Sequence, residues 1–76
     1  QGVDLQEIVV PAGSPAAGHQ IVDLGLPEEA LVVLVTRPEG FVIPQGSTVI
    51  LAGDKVRILG NAQALQQARI VLTGGR

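Results

Sequence analysis

The sequence predicts a small α+β fold. Its centre is a twisted, mainly antiparallel sheet of about five short strands, with a short helix after the first strand and a longer helix at the C-terminus. Three observations carry this expectation. Between Gly40 and Gly60, apolar β-favouring runs (Phe41-Val42-Ile43, Val49-Ile50-Leu51, Val56-Arg57-Ile58-Leu59) alternate with breakers at Pro44-Gln45-Gly46 and Ala52-Gly53-Asp54-Lys55. That is the spacing of strands that fold back on one another. Leu31 to Thr36 is apolar almost without interruption, which predicts a strand covered on both faces. Ala64, Leu65, Ala68 and Leu72 fall at i, i+1, i+4 and i+8, one stripe of a helix.

Taken in order, Gln1 to Asp4 reads as a ragged end and Leu5 to Val10 as the first strand, closed by Pro11-Ala12-Gly13. Ser14-Pro15 is a helix-start signal, a hydroxyl that can cap followed by proline at the first helical position. A short helix is expected between Gly18 and Leu24, stopped by Gly25 and by Pro27, since glycine suits the left-handed C′ position and proline blocks continuation. Glu28-Glu29 is a solvated turn before the strand at 31–36, and Arg37-Pro38-Glu39-Gly40 is a turn after it. Strands at 41–43, 48–51 and 55–59 follow, with Pro44 at a strand end where no ladder donor is lost. Asn61 caps a last helix over 61–71, and Thr73 to Arg76 reads as a frayed tail.

At 76 residues the chain is one domain at most, with an ordered core over 5–72. A domain this small buries only about 60% of the surface its unfolded chain exposes. Yet 46% of its residues are hydrophobic, with one Phe and no Trp, Tyr, Met or Cys, and the mean hydropathy is +0.41. Stability must come from aliphatic packing, and the high apolar share points either to a subunit interface or to a neighbouring domain packed against this one. The net charge of −2 and the pI near 5.0 provide no basic stripe to follow phosphates, and there are almost no aromatics for stacking bases, so no nucleic-acid partner is expected. The longest apolar run is far short of a membrane span, and no signal-peptide pattern opens the chain.

Catalytic chemistry finds little to work with. His19 is the one imidazole, and its nearest hydroxyl, Ser14, is read as a helix cap, so no nucleophile-base pair is in sight. One histidine and no cysteine argue against zinc, and neither Gly-x-Gly-x-x-Gly nor the Walker pattern occurs. No cofactor, metal or catalytic residue is expected. Of the seven carboxylates, Asp54 after Gly53 reads as holding a turn, whereas Asp23 sits where the helix dipole disfavours it. The chain reads as a binding or interaction module.

Its motifs resemble a known family. Ile8-Val9-Val10-Pro11-Ala12-Gly13-Ser14-Pro15-Ala16-Ala17-Gly18, Leu24-Gly25-Leu26-Pro27, Val32 to Arg37, Phe41-Val42-Ile43-Pro44-Gln45-Gly46-Ser47-Thr48-Val49-Ile50 and Ala52-Gly53-Asp54-Lys55-Val56-Arg57-Ile58-Leu59-Gly60 together look like the RCK C-terminal (TrkA-C) domain. The likeness runs from about Leu5 to Leu72. It implies a small α+β module that dimerises, lies on the cytoplasmic face of a cell-membrane cation transporter or channel, and senses a small ligand. Ile43 to Thr48 looks especially like the branch found in potassium/proton antiporters of the cell-volume-regulation type. The partners it implies are a second copy, the membrane-embedded region of the parent chain and a small nucleotide-like ligand. Members that bind cyclic di-AMP carry an aspartate, an arginine two residues on and an asparagine leading the next strand. Gly25, Pro27 and Leu31 stand at these places here, which argues against cyclic di-AMP.

Two sets of site residues follow. His19 and Asp23, at i and i+4, face the same way on a helix, and with Arg37 they are the ligand-binding candidates. Leu31, Val33 and Val35 share one face of a regular strand and are the candidates for the dimer interface, with Val32 and Leu34 on the other face. The rival reading is a purely structural assembly domain that pairs transporter subunits and senses nothing.

Overall fold

The computed structural model describes residues 2–75. Within them the chain forms β1 (Asp4–Val9), a single 3-10 turn (Ile21–Asp23), β2 (Leu31–Arg37), β3 (Gly40–Val42), β4 (Lys55–Gly60) and α1 (Ala62–Thr73). The four strands make one antiparallel sheet in the order β1-β4-β2-β3. β4 is central because it alternates cleanly: Val56 and Ile58 are fully buried while Lys55 and Arg57 are exposed. On one side Ile8 lies opposite Val56, and on the other Val35 does. These side chains form the inner face, over which α1 packs.

α1 is bounded as its sequence demands. The Asn61 side chain accepts a hydrogen bond from the Ala64 amide at 2.7 Å, satisfying one of the first-turn donors. Gly74, at φ 76°, ends the helix in the left-handed conformation, and its amide reaches the Ile70 carbonyl, the stop at which glycine carries no Cβ penalty. Leu65, Ala68 and Leu72 are all buried in the core, as the stripe predicts.

Four expectations change. The sheet has four strands, because Thr48–Leu51 forms only an isolated bridge between Val49 and Gln20. The helix over 18–24 is reduced to the 3-10 turn at Ile21–Asp23, since Gly18 adopts φ 90°, outside helical space. Ser14 caps no helix there; its hydroxyl accepts from the Ala16 amide and donates to the Leu72 carbonyl at 2.7 Å, fastening the segment after β1 to α1. At the ends, Asp4 belongs to β1 and Thr73 is a buried residue of α1, while Gln1 and Arg76 lie outside the described residues.

β2 holds the change with most consequence. Its pairing with β4 steps from Val32–Ile58 to Leu34–Arg57, leaving Val33 as an extra residue. Such a bulge breaks the two-residue alternation. Val32 and Val35 therefore share the inner face, and Leu31, Val33 and Leu34 stand on the other. The trio expected on one face is divided: Val35 is 0% exposed and belongs to the core.

Replacing Leu65 with Ala is expected to cost about 2–5 kcal/mol, because it removes buried methyl groups and leaves a cavity. Urea denaturation measures this directly, and a loss below about 0.5 kcal/mol would show that α1 does not pack through this stripe.

Candidate ligand-binding cavity

The long segments between strands are fastened to each other rather than to solvent. The Gly18 amide donates to the Ile50 carbonyl and the Ile50 amide to the His19 carbonyl. Ile21 and Val22 then donate to the carbonyls of Thr48 and Gly46, both at 2.9 Å. Residues 18–22 and 46–50 thus run as a zipped pair, although neither is a strand. Gly25, at φ 72°, turns the chain back towards β2. The turn at Gln45–Thr48 is closed by the Thr48 hydroxyl, which accepts from the Gln45 amide at 2.9 Å.

Between these segments and the start of β2 lies a cavity of about 360 Å³. Its walls are Ile21 and Val22 of the 3-10 turn, Gly25 to Glu28, Ala30 to Val32, and Pro44 to Gly46. The lining is mainly aliphatic and backbone, and Glu28 is the charged side chain in it. Gly25, Pro27 and Leu31 all line it. The resemblance sets these three positions, all within 25–31, against the aspartate, arginine and asparagine of the members that bind cyclic di-AMP.

His19 and Asp23 are brought together, but elsewhere. They line a groove of about 480 Å³ with Pro15, Leu24 and the last turns of α1 at Ile70 and Val71. Both side chains are exposed. Arg37 does not join them. Its Nε donates to Asp54 Oδ1 at 3.0 Å, and its Nη2 donates to Asp54 Oδ2 at 3.1 Å and to the Val49 carbonyl at 2.7 Å. Asp54 is buried and also accepts from the Leu51 amide at 2.9 Å. It therefore holds its turn as expected, with a guanidinium partner that sequence reading missed. The signal was an arginine directly after the most apolar strand, but nothing local tied it to residue 54. Leu26, Ala30 and Val32 were missed as lining for the same reason.

With this geometry in place, comparison with known proteins is specific. The model of the TrkA-C domain family matches residues 5–72. The chain is 34% identical over 67 residues to a Trk system potassium uptake protein TrkA homolog of Archaeoglobus fulgidus, covering 88% of this chain and 15% of that protein. It is 32% identical over 73 residues to the Pyrococcus abyssi homolog, covering 95% and 32%. The chain thus spans under a third of the length of either relative. Among solved structures, the RCK_C domain dimer of S. agalactiae BusR in complex with c-di-AMP superposes with a TM-score of 0.77 at 22% identity, covering 90% of this chain and 93% of that one. This likeness bears on the fold.

Arg37→Ala is expected to destabilise the chain by about 3 kcal/mol or more, because it strands a buried carboxylate. His19→Ala and Asp23→Ala, at exposed positions, should each stay within about 0.5 kcal/mol. Denaturant titrations of the three variants check this ordering, and a neutral Arg37→Ala would remove Arg37 from the structural framework.

Proposed function

The chain belongs to the TrkA-C domain family, and from that premise we propose that it is the regulatory, ligand-sensing and dimerising module of a cation transport protein, with potassium as the ion and a cation/proton antiporter as the parent. Its place is the cytoplasmic face of the cell membrane, coupled to the membrane-embedded part of the parent chain. The potassium-uptake relatives support the transport context. The structural neighbour, a domain dimer holding c-di-AMP, supports a dimer with a small-molecule site. No helix among the described residues is long and apolar enough to cross a membrane, so membrane spans are sought in the parent.

The observation that carries ligand sensing is the convergence of Gly25, Pro27 and Leu31 on one cavity. The same cavity argues about the ligand. Its lining contains no lysine, arginine or histidine, so the bidentate clamp that arginine offers to phosphate is missing. A ligand here is held by aliphatic contact and backbone groups, with Glu28 at the rim suited to an amine or hydroxyl. Cyclic di-AMP, with two phosphates, fits this lining poorly. The groove at His19 and Asp23, which adjoins the end of α1, is kept as a secondary candidate for the same role.

Calorimetry on the chain is expected to show no submicromolar binding of cyclic di-AMP. A submicromolar affinity abolished by Asp23→Ala would restore the nucleotide role and move the site to the His19 groove. Ligand sensing itself is tested in the parent protein through potassium flux. Val22→Trp, at an exposed position on the cavity wall, should abolish regulation while leaving basal flux. Unchanged regulation would favour the purely structural assembly domain, for which no metabolite would raise the melting temperature.

A further inference from the structure

A cluster of unused hydrogen-bond donors lies at the far end of β2, away from the cavity that Ala30 to Val32 line. There Thr36, Arg37, Pro38, Gly53 and Lys55 enclose a smaller cavity of about 170 Å³. Thr36 and Lys55 stand opposite each other in the pairing of β2 with β4, and Arg37 follows Thr36 at the strand end. None of the five lining residues is a carboxylate. Arg37 commits Nε and Nη2 to Asp54 and the Val49 carbonyl, and its Nη1 has no hydrogen-bond partner among the described residues. The Lys55 ammonium and the Thr36 hydroxyl are also unpartnered among them. Since no buried side-chain donor among the described residues is left unsatisfied, these three groups are reached by solvent.

We propose that this small cavity binds a free tetrahedral oxyanion of the phosphate class, held by Arg37 Nη1, the Lys55 ammonium and the Thr36 hydroxyl. The donor set is suited to an anion, because nothing in the lining offers a cation a carboxylate. Asp54 offsets the charge of Arg37, so Lys55 provides the net positive charge of the site. Asp54 and Val49 also fix the plane of the guanidinium, whose side chain is 17% exposed. Nη1 is therefore held in place before any ligand arrives, and little ordering entropy remains to be lost there. Size narrows the class. The cavity is smaller than the roughly 300–1,000 Å³ that organic ligands occupy and has room for about six waters at ~30 Å³ each, so a nucleotide is too large. A lipid headgroup is disfavoured by charge: the chain has a net charge of −2, whereas anionic membranes attract clusters of about 4–8 basic residues. A bound oxyanion shares the guanidinium that joins Asp54 to Val49, so it stabilises the folded chain by mass action.

Titrating the isotope-labelled chain with inorganic phosphate, exchanged for chloride at constant ionic strength and followed by NMR, tests the site. The amides of Thr36, Gly53 and Lys55 and the Arg37 Nε–H signal should shift together and saturate, with a dissociation constant of about 1–10 mM for so open a site. Lys55→Gln, at an exposed position, should weaken binding about fivefold or more. Arg57→Gln removes the same charge two residues along β4 and should change it less than about twofold, since screening and distance reduce its field. Glu39→Gln removes the exposed carboxylate of the neighbouring turn and should tighten binding. Arg37 is left intact because Asp54 depends on it. Shifts that rise linearly without saturation, or that spread alike over all basic residues, would overturn the site. A Lys55→Gln chain that binds phosphate like the wild type would overturn it too, and if that variant fails to fold, unchanged binding by Glu39→Gln serves as the same refutation. Vesicles of phosphatidylcholine with phosphatidic acid should not retain the chain, and retention that Lys55→Gln abolishes would overturn the free-ion assignment in favour of a lipid headgroup.

Discussion

Much of this fold depends on one buried charge. Asp54 lies 2% exposed, and a carboxylate removed from water is tolerated only when its oxygens are fully paired. Arg37 gives it a two-pronged contact, and the Leu51 amide adds a third bond. The same guanidinium reaches the Val49 carbonyl, so the end of β2, the turn into β4 and the middle of the 46–50 segment meet at one group. Lysine could not replace it, because a point charge cannot meet both carboxylate oxygens and a carbonyl in one plane. From Val49 the dependence runs outward. Residue 49 bridges Gln20, the segment around it holds Gly18, Ile21 and Val22, and of those residues Ile21 and Val22 form one wall of the cavity. The irregular backbone on this side of the concave site is thereby paired by hydrogen bonds.

A second constraint is size. A sheet of four short strands has two faces, and a chain of 76 residues has enough material to cover one. α1 and the segments after β1 and β3 cover the inner face, where Ile8, Val35, Val56 and Ile58 meet Leu65, Ala68 and Leu72. Of the aliphatic residues beyond that core, Leu5, Val9 and Leu31 stand exposed on the open face. Edge strands and open faces are ordinarily blunted by charge. Here the charge comes from Glu7 and Arg57, opposed on β1 and β4, and from Lys55 two residues along β4.

Where sequence and structure part company, the reason is the range over which a pattern operates. α1 was legible through its N-cap and its stripe, because a helix is decided by residues three and four apart and Asn61, Leu65, Ala68 and Leu72 keep that spacing, whereas its stop at Gly74 fell within the stretch read as a frayed tail. β4 was legible through its alternation. β2 was legible as a strand and illegible in its facing, since one inserted residue at Val33 reverses the parity of all that follows and no composition marks it. The segment at 48–51 has the composition of a strand but pairs with residues 18–22, which glycine and the 3-10 turn keep out of extended geometry. The pairing of Arg37 with Asp54 spans 17 residues and has no local signature. The ligand-binding candidates named from the sequence, His19, Asp23 and Arg37, do not line the cavity. Its walls were not legible, because they depend on the Gly25 turn and on the approach of Pro44 to Gly46.

The bulge finally joins the two surfaces that matter. It turns Val35 inward, while Leu31, which precedes it, stands on the open face opposite Leu59 and also lines the cavity. On the reading proposed above, a ligand in the cavity would constrain that side chain, and a partner on the open face would constrain it again. Coupling between two binding events is reciprocal, each changing the free energy of the other by the same amount. Under that reading sensing and assembly would need no long relay, and the sign of their coupling would be set by whether ligand and partner hold Leu31 in the same rotamer.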